Sequence, residues 1–370
     1  MKKYDSIIIG SSPVSILEAI YRAEQNDRVL LVEKAPGLGG AWRTEPCFGL
    51  RGVEVSPHVM LPNRYAYRII SEKLGVAMKP MLPPPVYIIN GRKRKLQYLN
   101  AERVYREIAT LKGRVGYVQK SVRLLASIYH AIKLSASKYR SEILYPEGGL
   151  NKLLQHAEKT LVDLGVDIVL NQEVVDISYH SMKYLEPGYT ITTRTGEQYL
   201  SSKMASSAII ALETIHIDDR LIKPYSFISQ SDHVTYLMKS GNRNGYGFAK
   251  FIDDGFFELV SDVSDFTPDL QDKYPGCRIV TCRFRKSKLF EPDQVPGYFD
   301  HLMQNGYLSG TESIVESYYY CVEDSILAGY VIDRLNTLFE NTYEFIGSRD
   351  LGMTDSLDEF NSRWEFVFQD

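Results

Sequence analysis

Glu33 is the residue whose neighbours best equip it for chemistry. It directly follows Val29-Leu30-Leu31-Val32, an apolar run, and an earlier run, Ser6-Ile7-Ile8-Ile9, leads into Gly10-Ser11-Ser12-Pro13-Val14-Ser15. Ile16 to Gln25 then continues with helical character. Unbroken apolar, β-branched runs are what strands buried on both faces require. Strand, small-residue turn, helix, second strand and terminal acid is the order of a dinucleotide-binding unit. In such a unit the carboxylate accepts hydrogen bonds from the hydroxyls of an adenosine ribose, and the helix start faces a pyrophosphate. Gly10 keeps the sharp turn, while Ser12 and Ser15 stand where the G-x-G-x-x-G fingerprint has its second and third glycines. Each serine adds a small side chain, the first where backbone approaches phosphate and the second where helix meets strand. The bland alternative is an ordinary β-α unit without a ligand.

The stretch after the acid, Lys34-Ala35-Pro36-Gly37-Leu38-Gly39-Gly40-Ala41-Trp42-Arg43-Thr44, resembles the E-x-x-x-x-x-G-G segment of the FAD-dependent amine oxidase superfamily. That group includes monoamine oxidases, phytoene desaturases and protoporphyrinogen oxidases, with UDP-galactopyranose mutases more distant. The resemblance implies that Gly39 and Gly40 let backbone pass close to the cofactor and that Arg43 sits near its pyrophosphate or flavin. Tyr145-Pro146-Glu147-Gly148-Gly149-Leu150, the helical stretch Asn151 to Leu164, and Val174-Val175-Asp176-Ile177 resemble a second piece of the same domain. The implied role of Val174 is a backbone contact to adenine. Near the C-terminus, Gly310-Thr311-Glu312 and Cys321-Val322-Glu323 resemble a third piece, in which a final helix points its N-terminus at the flavin. Free amides and a positive dipole end there stabilise a reduced flavin, which implies a cofactor contact at Glu312 and an amide from Val322.

Flavin carries the redox chemistry in such enzymes, so the protein positions a substrate C–H, excludes water and tunes charge. Three residues are candidates for that work. His58, in Val55-Ser56-Pro57-His58-Val59, occupies a place where relatives carry a G-x-H segment, and it could contact flavin or move a proton. Lys250 lies on a strand of the substrate side and matches, by resemblance, a lysine held near flavin N5 through water. Tyr319, with Tyr318 and Tyr320, precedes the expected final helix, where relatives place an aromatic beside the flavin. Against these stand a loop histidine, an exposed strand lysine, and packing among 26 tyrosines.

The elements that must hold these residues define an α/β protein. Its Rossmann-type FAD-binding domain is discontinuous, over 1–82, 142–212 and 306–338. A second, substrate domain of antiparallel sheet plus helices takes 83–141 and 213–305, and 339–370 is an unassigned tail. Asn90-Gly91 predicts a hairpin turn between Val86–Ile89 and Leu96–Leu99. The basic run Arg92-Lys93-Arg94-Lys95 reads as a solvated edge or as part of a site for an anionic substrate. Ala101 to Lys138 is helical in character and rich in basic residues.

The 43 basic and 46 acidic residues give no argument for nucleic acid. No apolar run reaches the ~20 residues of a membrane span. Four cysteines without a C-x-x-C pair point to no metal site and to a reduced, cytoplasmic setting. The leading expectation is an oxidoreductase that passes a hydride from a small-molecule substrate to FAD. A non-redox mutase acting on a nucleotide sugar is the alternative, and a degenerate flavin-binding protein is the third. Oligomeric state and substrate identity stay open.

Overall fold

The computed structural model describes residues 1–55, 64–80, 86–89, 92–95, 144–180, 188–206, 215–217, 220–222, 227–240, 247–252, 254–285, 290–326 and 343–345. His58, the Asn90-Gly91 turn, Leu96–Leu99 and the basic stretch 101–138 lie outside them.

Two large sheets organise the chain. The first contains β1 (Lys2–Ile9), β2 (Val29–Val32), β9 (Asp167–Val169), β10 (Val174–His180), β11 (Gly188–Thr193), β12 (Gln198–Ser206), β13 (Ile215–Ile217), β14 (Arg220–Ile222) and β20 (Tyr343–Phe345). Small strands β3 (Glu45–Cys47) and β4 (Leu50–Val53) form a hairpin, and β5 (Met78–Pro80) pairs with β8 (Leu144–Pro146). The second sheet runs in the order β19 (Ser313–Ile326), β15 (Phe227–Lys239), β18 (Cys277–Phe284), β17 (Phe257–Asp262), β16 (Phe248–Ile252), β6 (Val86–Ile89), β7 (Arg92–Lys95).

The centre of the first sheet is parallel. Ile9 pairs with Val32 on one side and with Ser206 on the other, Val32 pairs with Val169, and Ser206 pairs with Phe345. The carboxyl ends of five strands therefore finish at one edge, where ligands of open α/β sheets bind. Alternation puts Ile8 and Leu31 into a core with helix α1 (Pro13–Glu24) and helix α3 (Gly149–Asp163), while Ile7, Ile9, Leu30 and Val32 enter a separate cluster on the opposite face. Helix α2 (Arg64–Leu74) adds Ile69, Ile70 and Leu74 to the first core. The second sheet does likewise. Val234, Tyr236, Val280 and Cys282 pack with Tyr298 and Phe299 of helix α4 (Val295–Gln304). Its other face gives Phe248 and Leu259 to the core around α1 and α3, joining the two halves.

Two sequence expectations change here. Residues 306–338 do not all belong with the nucleotide unit, because β19 pairs along its length with β15 in the second sheet. A strand of the tail, β20, joins the first sheet instead. The partner strand of Val86–Ile89, expected at Leu96–Leu99, is instead the basic run Arg92–Lys95. That run is strand β7, paired with β6 at the sheet's end. Among the described residues no helix is long and apolar enough to cross a membrane.

Candidate active site

Gly10 adopts a φ of 88°, a conformation open to glycine, as the chain leaves β1. Ser12 then caps α1: its hydroxyl accepts the Ser15 N–H at 3.3 Å, and Pro13 fills the first helical turn. The Ser12 and Ser15 hydroxyls lie 3.0 Å apart, and Ser15 is fully buried. Two consecutive apolar strands thus deliver the helix start and Glu33 to the same sheet edge.

The Glu33 carboxylate turns into that edge. The N–H and O–H of Ser11 donate to Oε2 at 2.9 and 2.7 Å, and the Ala35 N–H donates to Oε1 at 2.8 Å. Ser11 in turn receives the Gly39 N–H, on its carbonyl at 3.0 Å and on its hydroxyl at 3.1 Å. Gly40, at φ 56°, runs so close that a Cβ there would stand 3.3 Å from the Ser12 backbone. Gly40 is thus held by contact with the turn, and Gly39, at φ 115°, by a backbone conformation that side chains rarely adopt and by Leu154, whose Cδ1 would stand 2.9 Å from a Cβ. Each carboxylate oxygen can accept two hydrogen bonds, so Oε1 keeps one acceptor position, and a rotation of the Ser11 hydroxyl frees a second.

Beside Glu33 a cleft of about 430 Å³ opens, lined by Lys34, Pro36, Arg43, Asn171, Glu173 and Arg194 among others. It sits past the ends of β2 and β9, and the Gln172 N–H donates to the Glu33 carbonyl at 3.0 Å, closing its floor. Val174, buried at the start of β10, follows two of the lining residues directly. Gly10, Ser12, Ser15, Glu33, Gly39 and Gly40 are thus brought together, with Arg43 lining the cleft next to them, while the Val174 side chain packs into the core cluster behind the sheet.

Arg43 links this edge to the second sheet. It pairs with Glu45, and its Cζ lies 5.1 Å from the centre of the Tyr320 ring. Burial raises the Tyr320 hydroxyl above its ordinary pKa, against the opposing pull of Arg43. Tyr319 is on the opposite face of β19. It stacks on Phe290 at 4.3 Å and donates to Asp232 at 2.6 Å, so strand alternation takes it away from Arg43. Of the three tyrosines, Tyr320 and not Tyr319 is the one beside Arg43. Lys250 lies on β16, opposite Leu259.

Glu312 and Val322 are also corrected. The Glu312 carboxylate closes its own loop, accepting from the Ser309 N–H and O–H and the Thr311 N–H. Burial opposes that charge, yet these donors outweigh it and hold the carboxyl below its ordinary pKa. Glu312 is eight residues before Tyr320 along an extended segment, about 26 Å away at ~3.3 Å per residue. Val322 pairs with Ser231 within β19, so its amide belongs to a strand and not to a helix start.

Sequence reasoning passed over Glu54. This carboxylate is almost wholly buried and accepts from the Tyr145 hydroxyl and, at 2.7 Å, from the Leu150 N–H at the start of α3. Burial pushes its pKa up to about 7, although both donors act in the other direction. A Cβ on Gly149, at φ 78°, would meet Glu54 Oε1 at 2.6 Å. Tyr145, Gly149 and Leu150 therefore make a clamp around Glu54, and the Tyr-Pro-x-Gly-Gly-Leu spacing was its visible signal. One residue further, the Val55 carbonyl receives the Thr281 hydroxyl at 2.6 Å, tying the strand that leads toward His58 to the second sheet. Among the described residues no group of His, Cys, Asp or Glu side chains is placed to hold a metal ion.

A Gly-turn, a capped helix and an acid stand together at the edge of a parallel sheet, with an antiparallel sheet packed on the same core. Residues 91–221 match the sequence profile of the flavin-containing amine oxidoreductases. Among solved structures, putrescine oxidase bound to putrescine is similar over 100% of this chain and 99% of its own, with a TM-score of 0.63 and 13% identity. A putative protoporphyrinogen oxidase from Exiguobacterium sp. 255-15 is similar over 99% and 98%, with a TM-score of 0.61 and 14% identity. Reduced UDP-galactopyranose mutase is similar over 99% and 94%, with a TM-score of 0.66 and 11% identity. Those likenesses are of fold. No curated protein matches the chain in sequence. Residues 91–221 are thus similar to that family, and the chain as a whole shares its fold with these solved structures.

Proposed function

We propose that the protein oxidises a small-molecule substrate by taking a hydride from a C–H bond, with FAD seated along the edge that carries Gly10, Glu33 and Gly40. FAD, when bound, supplies the hydride acceptor. The observation that carries the reading is the Glu33 carboxylate, fixed by Ser11 and Ala35 at the carboxyl end of β2 with an acceptor position in hand. In this reading Glu33 accepts from the ribose, Ser12 and the start of α1 face the pyrophosphate, and Gly39 and Gly40 give backbone approach. Arg43, in the cleft lining, adds positive charge beside the phosphates, and Val174, next in sequence to the lining residue Glu173, is the proposed backbone contact for adenine.

The chain's other residues shape the reaction space. Tyr320, held under Arg43, presents an aromatic wall between the cofactor edge and the second sheet. The buried Thr235–Thr281–Val55 hydrogen-bond chain, at 3.0 and 2.6 Å, ties the adjoining row of the second sheet to the segment after Glu54. His58 and Lys250 remain the candidates for proton handling.

Purified protein is expected to show the visible flavin bands and to bleach anaerobically on addition of one of three substrate types: an amine, a polyene or a porphyrinogen. Turnover of a nucleotide sugar only after dithionite reduction would overturn the hydride-transfer reading in favour of mutase chemistry.

A further inference from the structure

The face of the second sheet that meets Arg43 and the first core carries one row that can be followed across the strands. Tyr320 pairs with His233, and His233 with Arg283. Arg283 pairs with Leu259, and Leu259 with Lys250. Lys250 pairs with Tyr87, and Tyr87 with Arg94. Directly paired residues share a face, and Leu259 lies in the core shared with α1 while Tyr320 lies under Arg43. The described side chains of the row, Tyr320, His233, Arg283 and Leu259, therefore face the first half of the molecule. Arg283, Lys250 and Arg94 take every second place in it, about 10 Å apart at ~4.8 Å per strand.

Arg283 is incompletely satisfied. Its Nη2 lies 3.1 Å from Glu258 Oε2, but its Nε is buried and has no acceptor among the described residues. Two residues on, Arg285 donates from Nη2 to the Phe251 carbonyl at 2.9 Å, and its Nε is likewise buried without an acceptor among the described residues. A buried cationic N–H left without an acceptor is unfavourable. Two such groups stand two residues apart at the end of one strand. Guanidinium groups present paired donors that match carboxylate and phosphate oxygens.

The geometry points to an anion-binding site on this face, with Arg283 and Arg285 as its donors and a carboxylate or phosphate group of the substrate as its ligand. Glu258 tempers Arg283. The word substrate rests on the oxidoreductase reading; the anion site rests on the sheet alone.

The full-length protein, saturated with FAD where it takes the cofactor, is titrated at constant ionic strength with inorganic phosphate and separately with succinate, following Tm. A saturable rise with one of the two is expected, and which one identifies the anion. Arg283→Gln should weaken the apparent Kd about tenfold, the loss of one charge-assisted contact, and Glu258→Gln should tighten it several-fold. Arg285→Gln gives the same sign as Arg283→Gln should the latter fail to fold. Arg28→Gln, over the Tyr4 ring on the first sheet, should leave binding unchanged. No saturable shift with either anion, or equal affinity in wild type and the Arg283 and Arg285 variants, overturns the site. A colourless protein with Arg283-dependent anion binding would sink the flavin reading alone, and a yellow protein without such binding would sink only this site.

Discussion

The cofactor edge and the face opposite it are built on different principles. Along the edge, Gly10, Ser12, Ser15, Glu33, Gly39 and Gly40 come from one stretch of the chain, and the contacts among them are short-range in sequence. On the facing sheet, Tyr320, His233, Arg283 and Lys250 meet only because strands far apart in sequence take a given register. The first region is a motif and the second is an address. A motif survives a loss of fingerprint residues because its turn, cap and acid support one another locally. An address depends on every strand between its members.

Substitutions can break that contrast, the severest at the clamp that joins the two regions. Gly149→Ala would force a Cβ into Glu54 and Phe266 at 2.6 and 2.7 Å and impose a side chain at φ 78°. We expect a loss of about 3 kcal/mol or more in thermal or denaturant unfolding, from strain and overpacking together. Gly148→Ala, at φ 84° but facing only the flexible Lys152 side chain, should cost less.

Next in size is a pH effect at the same clamp. Glu54 has its pKa raised to about 7 by burial, so the folded state holds its proton more tightly than the unfolded state. Its contribution to stability is full below about pH 4.5, the ordinary value, and is lost as pH rises through about 7. Tm should therefore fall across that window, and Glu54→Gln should flatten the decline. A profile identical in both proteins would remove Glu54 from the account.

The smallest effect sharpens the reading of the edge itself. Ser12 spends its hydroxyl on the Ser15 N–H, a donor that a pyrophosphate would otherwise use. Ser12→Gly should tighten FAD binding a few-fold at a helix-capping cost of only a few tenths of a kcal/mol. Weaker binding in that variant would mean that the serine hydroxyl itself serves the phosphate.

How much was legible follows from the same contrast. The strands β1 and β2, the helix between them and the Gly39-Gly40 contact all announce themselves through apolar runs and small residues at short spacing. Strands β16 to β18 were also visible from composition. Their partners were not: the pairing of β19 with β15 separates Glu312 and Val322 from the cofactor edge, and local sequence holds no record of it. Tyr318-Tyr319-Tyr320 reads as three equal candidates, and only the alternation of an actual strand turns Tyr320 to Arg43 and Tyr319 to Phe290. Glu54 escaped because an acid next to apolar residues looks like an edge position until its donors arrive from Tyr145 and Leu150.

The central claim is that Glu33 anchors the adenosine ribose of FAD, and equilibrium titration of apoprotein with FAD, read by flavin fluorescence and visible absorbance, tests it most directly. The account predicts one FAD per chain for the wild type and, for Glu33→Gln, which keeps the shape but loses the charge and turns one acceptor oxygen into an NH2 donor, an affinity lower by about one to two orders of magnitude. Equal affinity in the two proteins, or a wild type that takes up no FAD, would contradict it.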